Sequence, residues 1–526
     1  MLATQSIILI GGILMKKAKK SFGKKAAIPA LSAVLLTSLI GCSNDADQTS
    51  GKASDGKSSK PNITIMTTGF STTPLTDSSP ALQALEKYTG VDITVNYVMN
   101  SVYNDKLNVT LASGNLPKII MIPDKLPSFV SAVRNDAFWD LTPYLKDYPN
   151  LSQANEITLQ NSAIDGKIYG IYRARPLGRN GVYFRKDWLE NLGLEEPKTI
   201  DDFYNVLKAF TYNDPDGNGK DDTYGMVISK FTGPFDVMQT WFGAPNKWGI
   251  TKDGKLEPDF MTTEYMDALK FFKKLYDEKL INQDFAVMDS GKWDVPFQNG
   301  QGGLIVNVLD QAHRNAAAME KIDPKLKDAV DVLGAVEGPE GLHNLPTAGY
   351  SGLLAIPKSS VKTEKELKQV LSFLDKLNNE PAQTFAYAGV EGRHYKIEDG
   401  KFTALVTSTD PLYSEIQDLN QFIPGIPDEN FKHAEYTPLQ VKEKEIIKEN
   451  EKIVVANPAA SLLSEVYAQK GQQLDNIIND ARIKYIVGQI DEQGFKDAIK
   501  LWKSSGGDDY TDEINKLYKE SNKNKK

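Results

Sequence analysis

Between residues 62 and 122 the chain alternates strand and helix patterns so regularly that it admits few folds. NITIM at 62–66 reads as a short strand. Pro80 to Tyr88 carries Leu82 and Leu85 on one helical face and stops at Gly90. VDITVNYV at 91–98 then alternates, with Val91, Ile93, Val95 and Tyr97 on one side, the period-2 signature of a strand. A helical stretch with Leu107 and Leu111 closes at Gly114, and KIIMI at 118–122 has the near-continuous apolar character of a buried parallel strand. Strand, helix, strand, helix, strand predicts an open parallel sheet covered by helices.

The alternation resumes after IDGKIYGIYRA, where Asp165-Gly166 supplies a hairpin turn. VYF, a helix around Trp188 and a helix led by Thr199 follow. Tyr265, Leu269, Phe272, Tyr276 and Leu280 form a helical stripe; GGLIVNV, DVLGAV and GLLAIP are strand-like; Thr363 and Glu366 make a capping box ahead of Leu367, Val370, Leu371, Leu374 and Leu377. The C-terminal third is polar and mostly helical. The pattern predicts two α/β bodies: residues 61–174 with about 350–410 in the first, and 175–349 with about 411–526 in the second. Open α/β sheets bind ligands beyond the carboxyl ends of their strands and between domains, so the crossings between the bodies are where a cleft is expected.

The N-terminal end adds a second constraint. Met15 precedes a basic cluster (Lys16, Lys17, Lys19, Lys20, Lys24, Lys25) and an apolar run from Ala26 to Ile40, the charge order of a secretory signal. The run of about fifteen residues is shorter than the roughly twenty that span a bilayer. Met15 reads as the natural start, because residues 1–14 place an apolar segment ahead of the basic cluster. Cys42 is the single cysteine of the 526-residue chain, so no internal disulfide forms. It directly follows Leu39, Ile40 and Gly41 in lipobox order, which predicts acylation of Cys42 after residues 1–41 are removed and retention at the outer membrane face. The competing reading is a chance cysteine in a plain secretory signal. Residues 42–60 have no large apolar side chain and read as a flexible tether, spanning roughly 25 Å. Loss of six lysines with the signal takes the formal charge from −8 to −14. No nucleic-acid partner is therefore expected.

NDPDGNGKDDTYG at 213–225 places Asp214, Asp216, Asn218 and Asp222 at relative positions 1, 3, 5 and 9, with Gly219 at 6 and the Lys220 carbonyl at 7. Alternate oxygens around a sharp turn match a calcium shell. Gly225 stands where a bidentate glutamate would complete it. From the residues alone an Asx-rich turn that needs no metal is equally compatible.

Enzymatic signatures are absent or isolated. His313, His343, His394 and His433 are scattered without HExxH, and no phosphate-binding glycine loop occurs. Ser359 to Lys362 has serine-lysine spacing but lacks its companion motifs. With 69 acidic residues, composition does not separate a glycosidase carboxylate pair from ordinary surface acids, so an extracellular hydrolase is the alternative reading.

Several stretches together resemble family 1 extracellular solute-binding proteins of the LplA-like lipoprotein type, which serve carbohydrate importers, and the related alginate-binding proteins. They are LIGC at 39–42, YGIYRARPLGRNGVYFRKDWLENLGL at 169–194, the Asp214 loop, FGAPNKWG at 242–249, GVEGRHY at 389–395 and WKSSGGDDYTDEINKLY at 502–518. The resemblance implies a periplasmic-binding-protein fold, with two lobes on a multi-strand hinge closing around an oligosaccharide. It also implies a monomer that hands its ligand to the permease of an ABC importer, and a structural Ca2+ in the Asp214 loop. Thr223 occupies the place of the acid that often completes the shell in the resembling proteins.

Sugars pair flat C–H faces with a rim of hydroxyls, so their sites combine aromatic faces with charged or amide groups. The candidates in Gly- or Pro-rich loops are Trp241, Trp248, Trp293, Arg173 and Arg175 at the first crossing, Tyr350 at the second, and Arg393, His394 and Tyr395. A large aromatic is more often packing than contact. Trp139, Trp188 and Trp502 sit beside core patterns and are expected to be structural.

Overall fold

The computed structural model describes residues 60–69, 74–406, 410–427 and 430–523. The signal segment, Cys42 and the tether up to residue 59 lie outside them.

The strands are β1 (Asn62–Gly69), β2 (Asp92–Met99), β3 (Ile119–Ile122), β4 (Gly170–Ala174), β5 (Asn180–Arg185), β6 (Tyr224–Met226), β7 (Trp248–Ile250), β8 (Leu256–Pro258), β9 (Gly302–Val308), β10 (Val330–Leu333), β11 (Tyr350–Ala355), β12 (Tyr395–Glu398) and β13 (Lys401–Ala404). Two sheets carry the architecture, ordered β2-β1-β3-β11-β4 and β10-β5-β9-β6, and two small hairpins pair β7 with β8 and β12 with β13.

The first sheet begins as the sequence predicts. β1 runs parallel to β2, with Ile63 opposite Ile93 and Ile65 opposite Val95, and parallel to β3 on its other side. The helix Pro80–Thr89 connects them, started by a proline whose missing N–H costs nothing there and ended by Gly90 at φ 76°. All four residues of β3 are buried. The sheets are not purely parallel, however. β11 returns from the second body and inserts antiparallel between β3 and β4, and β5 lies antiparallel to both β9 and β10. Each strand that crosses between bodies enters its sheet from the end opposite to a βαβ connection, which fixes that reversal.

The cores follow the two sheets. One gathers residues 63–174 and 353–426, including Leu82, Leu85, Leu367 and Leu371; burial of each such side chain contributes about 1.5–3 kcal/mol. Leu419, Phe422, Ile423 and Ile426 belong to this core, so the first body extends past the boundary expected near 410. The second sheet is covered on one side by Trp188, Phe203, Phe210, Trp241 and Phe272, and on the other by Phe297, Leu309 and Met319. The capping box at Thr363 and Glu366 is formed. The turn at Asp165 (φ 50°) and Gly166 (φ 80°) is left-handed at both positions, as a two-residue hairpin requires.

The two crossings run side by side. Arg175 N donates to Gly349 O at 3.0 Å, Thr347 N to Leu177 O at 3.0 Å and Thr347 Oγ1 to Pro176 O at 2.8 Å. Asn450, at the end of the helix Pro438–Asn450, locks this ribbon by donating to Gly178 O (2.9 Å) and Asn180 O (2.8 Å). Asn344 adds a bond to Asn180 O at 2.8 Å.

Candidate functional site

In the first sheet the carboxyl ends of β1, β2, β3 and β4 and the start of β11 lie on one edge; Tyr350 is opposite Ala174. In the second sheet Asn180 is opposite Val308. Since Ala174 continues into the crossing that ends at Asn180, these two edges are the ones the crossings join.

A cavity of about 280 Å³ lies where they meet, lined from both bodies. Tyr387 and Phe431 stack face to face, with centroids 4.2 Å apart, on its first-body side. Arg175 stands at its floor, with Nη1 donating to Ala174 O at 2.7 Å. On the second-body side Asp310 accepts from Arg179 Nε (2.6 Å) and Nη2 (2.8 Å) and from Arg314 Nη2 (2.8 Å). These cations hold the Asp310 carboxyl below its ordinary range despite the opposing cost of burial. His313 Nδ1 is 2.7 Å from Glu443 Oε2, on the helix that braces the crossing. Flat ring faces beside charged groups are the chemistry that a polyhydroxylated solute requires of its binding site.

A second cavity, about 320 Å³, opens in the second body between the helices Gly233–Trp241 and Glu465–Ile486. Trp248, Phe260, Trp502 and Tyr510 form its aromatic wall. Arg482 is buried and donates to Asp236 Oδ1 (2.5 Å) and Thr232 Oγ1 (2.6 Å). Burial, reinforced by neighbouring Asp236, pushes the Asp259 carboxyl up to about 7, although Gln239 donates to it at 2.9 Å.

The aromatic and basic residues singled out from sequence divide sharply. Arg175 lines the first cavity and Trp248 the second, but Trp248 is 5% exposed and its ring is fixed edge-on against Tyr510. Trp241 is fully buried against Phe203, leaving no face for a solute. Trp293 is buried too, its indole N–H donating to Val227 O at 3.1 Å. Arg173 is enclosed by the sheet and donates to Ser351 O (2.7 Å) and Asn420 O (2.9 Å), and burial, with Arg175 nearby, lowers its pKa to about 9. It ties β4 to β11 and to the end of the helix Tyr413–Asn420.

In the GVEGRHY loop Glu391 and Gly392 are exposed, Arg393 is half-buried, and His394 and Tyr395 are buried. Arg393 forks onto Glu415 (2.8 and 2.6 Å), His394 Nδ1 accepts from Val390 N (3.0 Å), and Tyr395 stacks on Phe402. Burial lowers the His394 pKa. Tyr350 is half-buried and donates to Asp124 Oδ1 at 3.1 Å. Trp139 and Trp188 pack as expected, whereas Trp502 packs and also lines the second cavity. The residues missed from sequence, Tyr387, Phe431, Arg179, Asp310 and His313, come from four distant segments with no shared motif.

In the Asp214 loop, positive φ at Asp214 (48°), Gly217 (68°) and Gly219 (76°) folds the chain around Asn218. Asp214 accepts from Asn218 N (3.0 Å) and Gly219 N (2.9 Å), while Asp216 and Asp222 both accept from the Asn218 amide, at 2.8 and 3.3 Å. The Asn218 carbonyl accepts from Lys220 N. The acids thus gather on Asn218, Asp214 at its backbone nitrogen and Asp216 and Asp222 at its side-chain nitrogen, and among the described residues no group of three His, Cys, Asp or Glu side chains is assembled around one metal position. Thr223 is turned away: its hydroxyl donates to Phe210 O at 2.8 Å, so it is not a ligand in this geometry.

A family profile described as bacterial extracellular solute-binding protein matches residues 72–384. The chain is 54% identical over 489 residues to Lipoprotein LipO of Bacillus subtilis (strain 168), covering 92% of this chain and 96% of that one. It is 38% identical, with the same coverages, to the polygalacturonan/rhamnogalacturonan-binding protein YtcQ of that organism. A solved structure of the S. pneumoniae ABC-transporter substrate binding protein FusA, an EF-hand mutant in complex with fructo-nystose, shares the fold: TM-score 0.57 at 21% identity, covering 88% of this chain and 100% of that one. Two hinged α/β bodies, a cavity at their crossing and this relationship over most of its length place the chain in the bacterial extracellular solute-binding proteins, which capture a solute without chemically transforming it.

Proposed function

We propose that the protein binds an oligosaccharide in the cleft between its two bodies and delivers it to the permease of an ABC importer. The observation that carries this reading is the cavity at the crossing, where the Tyr387–Phe431 stack of one body faces the Arg179–Asp310 pair of the other. A sugar reaching both walls stabilises the closed arrangement by its differential affinity. The names of YtcQ, which binds polygalacturonan and rhamnogalacturonan, and of the FusA complex with fructo-nystose support a saccharide of several units.

The protein acts as a monomer at the extracellular face of the membrane, held by acyl chains on Cys42, in keeping with the lipoprotein name of its 54%-identical relative. A structural Ca2+ in the Asp214 loop uses oxygens of Asp214, Asp216, Asp222 and Asn218 and the Lys220 carbonyl; the EF-hand named in the FusA structure supports it. It requires the Asn218 amide to turn its oxygen inward.

The test is a thermal-shift and tryptophan-fluorescence screen of the mature protein against neutral and acidic oligosaccharides, with calcium present. A true ligand at a hundred times its Kd stabilises by about 2.7 kcal/mol. Absence of any shift across fructo-, galacturono- and rhamnogalacturono-oligosaccharides refutes the saccharide assignment, and turnover of a bound oligosaccharide refutes the carrier assignment.

A further inference from the structure

Four basic side chains and two acids line the cavity at the crossing: Arg175, Arg179, His313 and Lys444 against Asp310 and Glu443. Both acids are spent. Asp310 takes three N–H groups from Arg179 and Arg314, at 2.6, 2.8 and 2.8 Å. Glu443 is buried, accepts the His313 backbone N–H at 2.9 Å and meets His313 Nδ1 at 2.7 Å. Lys444 Nζ lies 4.4 Å from the centre of the Tyr436 ring, whose π face meets its charge. Arg175 is the lining cation left over.

Arg175 is half-buried, and among the described residues its guanidinium makes one bond, from Nη1 to the uncharged Ala174 O at 2.7 Å, and pairs with no carboxylate. Four of its five N–H groups therefore remain for a solute. Two residues back on β4, Arg173 is also met only by uncharged oxygens, those of Ser351 and Asn420, and its Nε has no partner. Arg173 is enclosed, so Arg175 is the guanidinium that a solute in the cavity touches. Its backbone is fixed: Arg175 N donates to Gly349 O at 3.0 Å, and Ala174 N to Pro424 O at 2.7 Å. The Tyr387–Phe431 stack lines the same cavity, and Gly425 stands between Tyr387 and the strand end that carries Arg175. A Cβ there would lie 3.6 Å from Tyr387 Oη and 3.8 Å from Ala174 Cβ.

We infer that Arg175 anchors a carboxylate of the bound saccharide, which makes the solute of the crossing cavity an acidic oligosaccharide built from uronic acid units. A uronate ring answers both features of the cavity. Its C–H face suits the Tyr387–Phe431 stack, and its planar carboxylate presents two oxygens to the guanidinium fork. One unmatched cation calls for one negative charge, which a carboxylate supplies and the nearly double charge of a phosphate ester exceeds. A neutral saccharide offers hydroxyl acceptors to the fork but leaves its charge unmet in a partly desolvated site. The anchor rests on the oligosaccharide reading and adds to it the class of sugar and the residue that selects it.

The experiment is calorimetric titration of the full mature protein, with calcium, using trigalacturonate, its methyl ester and the neutral trisaccharide kestose. The methyl ester keeps the size and removes the charge. The unaltered protein is expected to bind the acid about tenfold more tightly than the ester, the worth of one charge-assisted contact. Arg175→Gln is expected to weaken the acid about tenfold more than it weakens the ester. Arg175→Lys, which keeps the charge and loses the fork, should retain part of the preference. Thermal melting checks that both variants fold, because Nη1 also holds Ala174 O; the comparison of acid with ester on the unaltered protein does not depend on it. Equal affinity of the unaltered protein for acid and ester, an equal effect of Arg175→Gln on both, or binding of kestose alone overturns the anchor and leaves the oligosaccharide reading standing. If none of the three binds, the anchor falls, and the wider panel of neutral and acidic oligosaccharides decides the oligosaccharide reading.

Discussion

Asp418 is a buried carboxylate that no cation among the described residues reaches, and replacing it with asparagine should stabilise the protein at alkaline pH but not in acid. It is 0% exposed; Oδ2 accepts from Leu75 N at 3.1 Å, and among the described residues Oδ1 has no hydrogen-bond partner and no ion pair reaches it. A neighbouring acid, Glu415, is already held by Arg393. Burial raises the Asp418 pKa from 3.8 to about 6, with Glu415 adding to the rise and the Leu75 N–H opposing it. A shift of that size corresponds to about 3 kcal/mol. The folded state binds this proton more tightly than the unfolded chain, so the cost of ionisation is fully present above pH 6, shrinks as the pH falls through 6, and is gone below 3.8. Asp418→Asn removes the charge but brings an amide N–H pair in search of acceptors, at about 1–2 kcal/mol. The net gain at pH 8 is therefore about 1–2 kcal/mol, falling to zero or below at pH 4. Urea unfolding of both proteins at the two pH values, followed by tryptophan fluorescence, measures it. An equal difference at pH 8 and pH 4, or a variant less stable at pH 8, refutes the assignment of Asp418 as an uncompensated charge.

Two further outcomes are expected. A Cβ at Gly178 would lie 2.1 Å from Ile447 O and 2.7 Å from Glu451 N. Gly178→Ala should therefore lever the helix Pro438–Asn450 off the crossing, costing about 1–3 kcal/mol in denaturant unfolding and altering ligand affinity although residue 178 lines neither cavity. In the Asp214 loop, Asp216→Ala should abolish the calcium-dependent rise in melting temperature while Thr223→Val keeps it, because the Thr223 hydroxyl is spent on Phe210 O; identical melting of the unaltered protein in chelator and in calcium would remove the metal from the account.

The elements with strong periodicity were legible from the chain alone. The run from β1 through β3, the strand GGLIVNV, the capping box at Thr363 and the Asp165-Gly166 turn all depend on neighbours a few residues apart, and they form where the pattern places them. What could not be read locally was strand direction. β11 has the same apolar character as a parallel strand, and only the path of the chain through the second body makes it antiparallel. The site was least legible for a related reason. Trp241, Trp293 and Arg393 sit in loop-like sequence, yet each is satisfied by a partner that local sequence does not reveal: Phe203, Val227 O and Glu415. Conversely, Tyr387 closes an unremarkable helix and meets Phe431 only in three dimensions.

The position of β11 governs how the chain acquires its structure. It is an interior strand of the first sheet, yet it follows all four strands of the second sheet in sequence. The N-terminal strands accordingly cannot complete their sheet until residues 350–355 are available, and the intervening segment must gather first or simultaneously. Such long-range closure makes assembly slow and leaves β3 with an open edge in the meantime. Until that late strand arrives, the leading half of the chain has no finished body of its own.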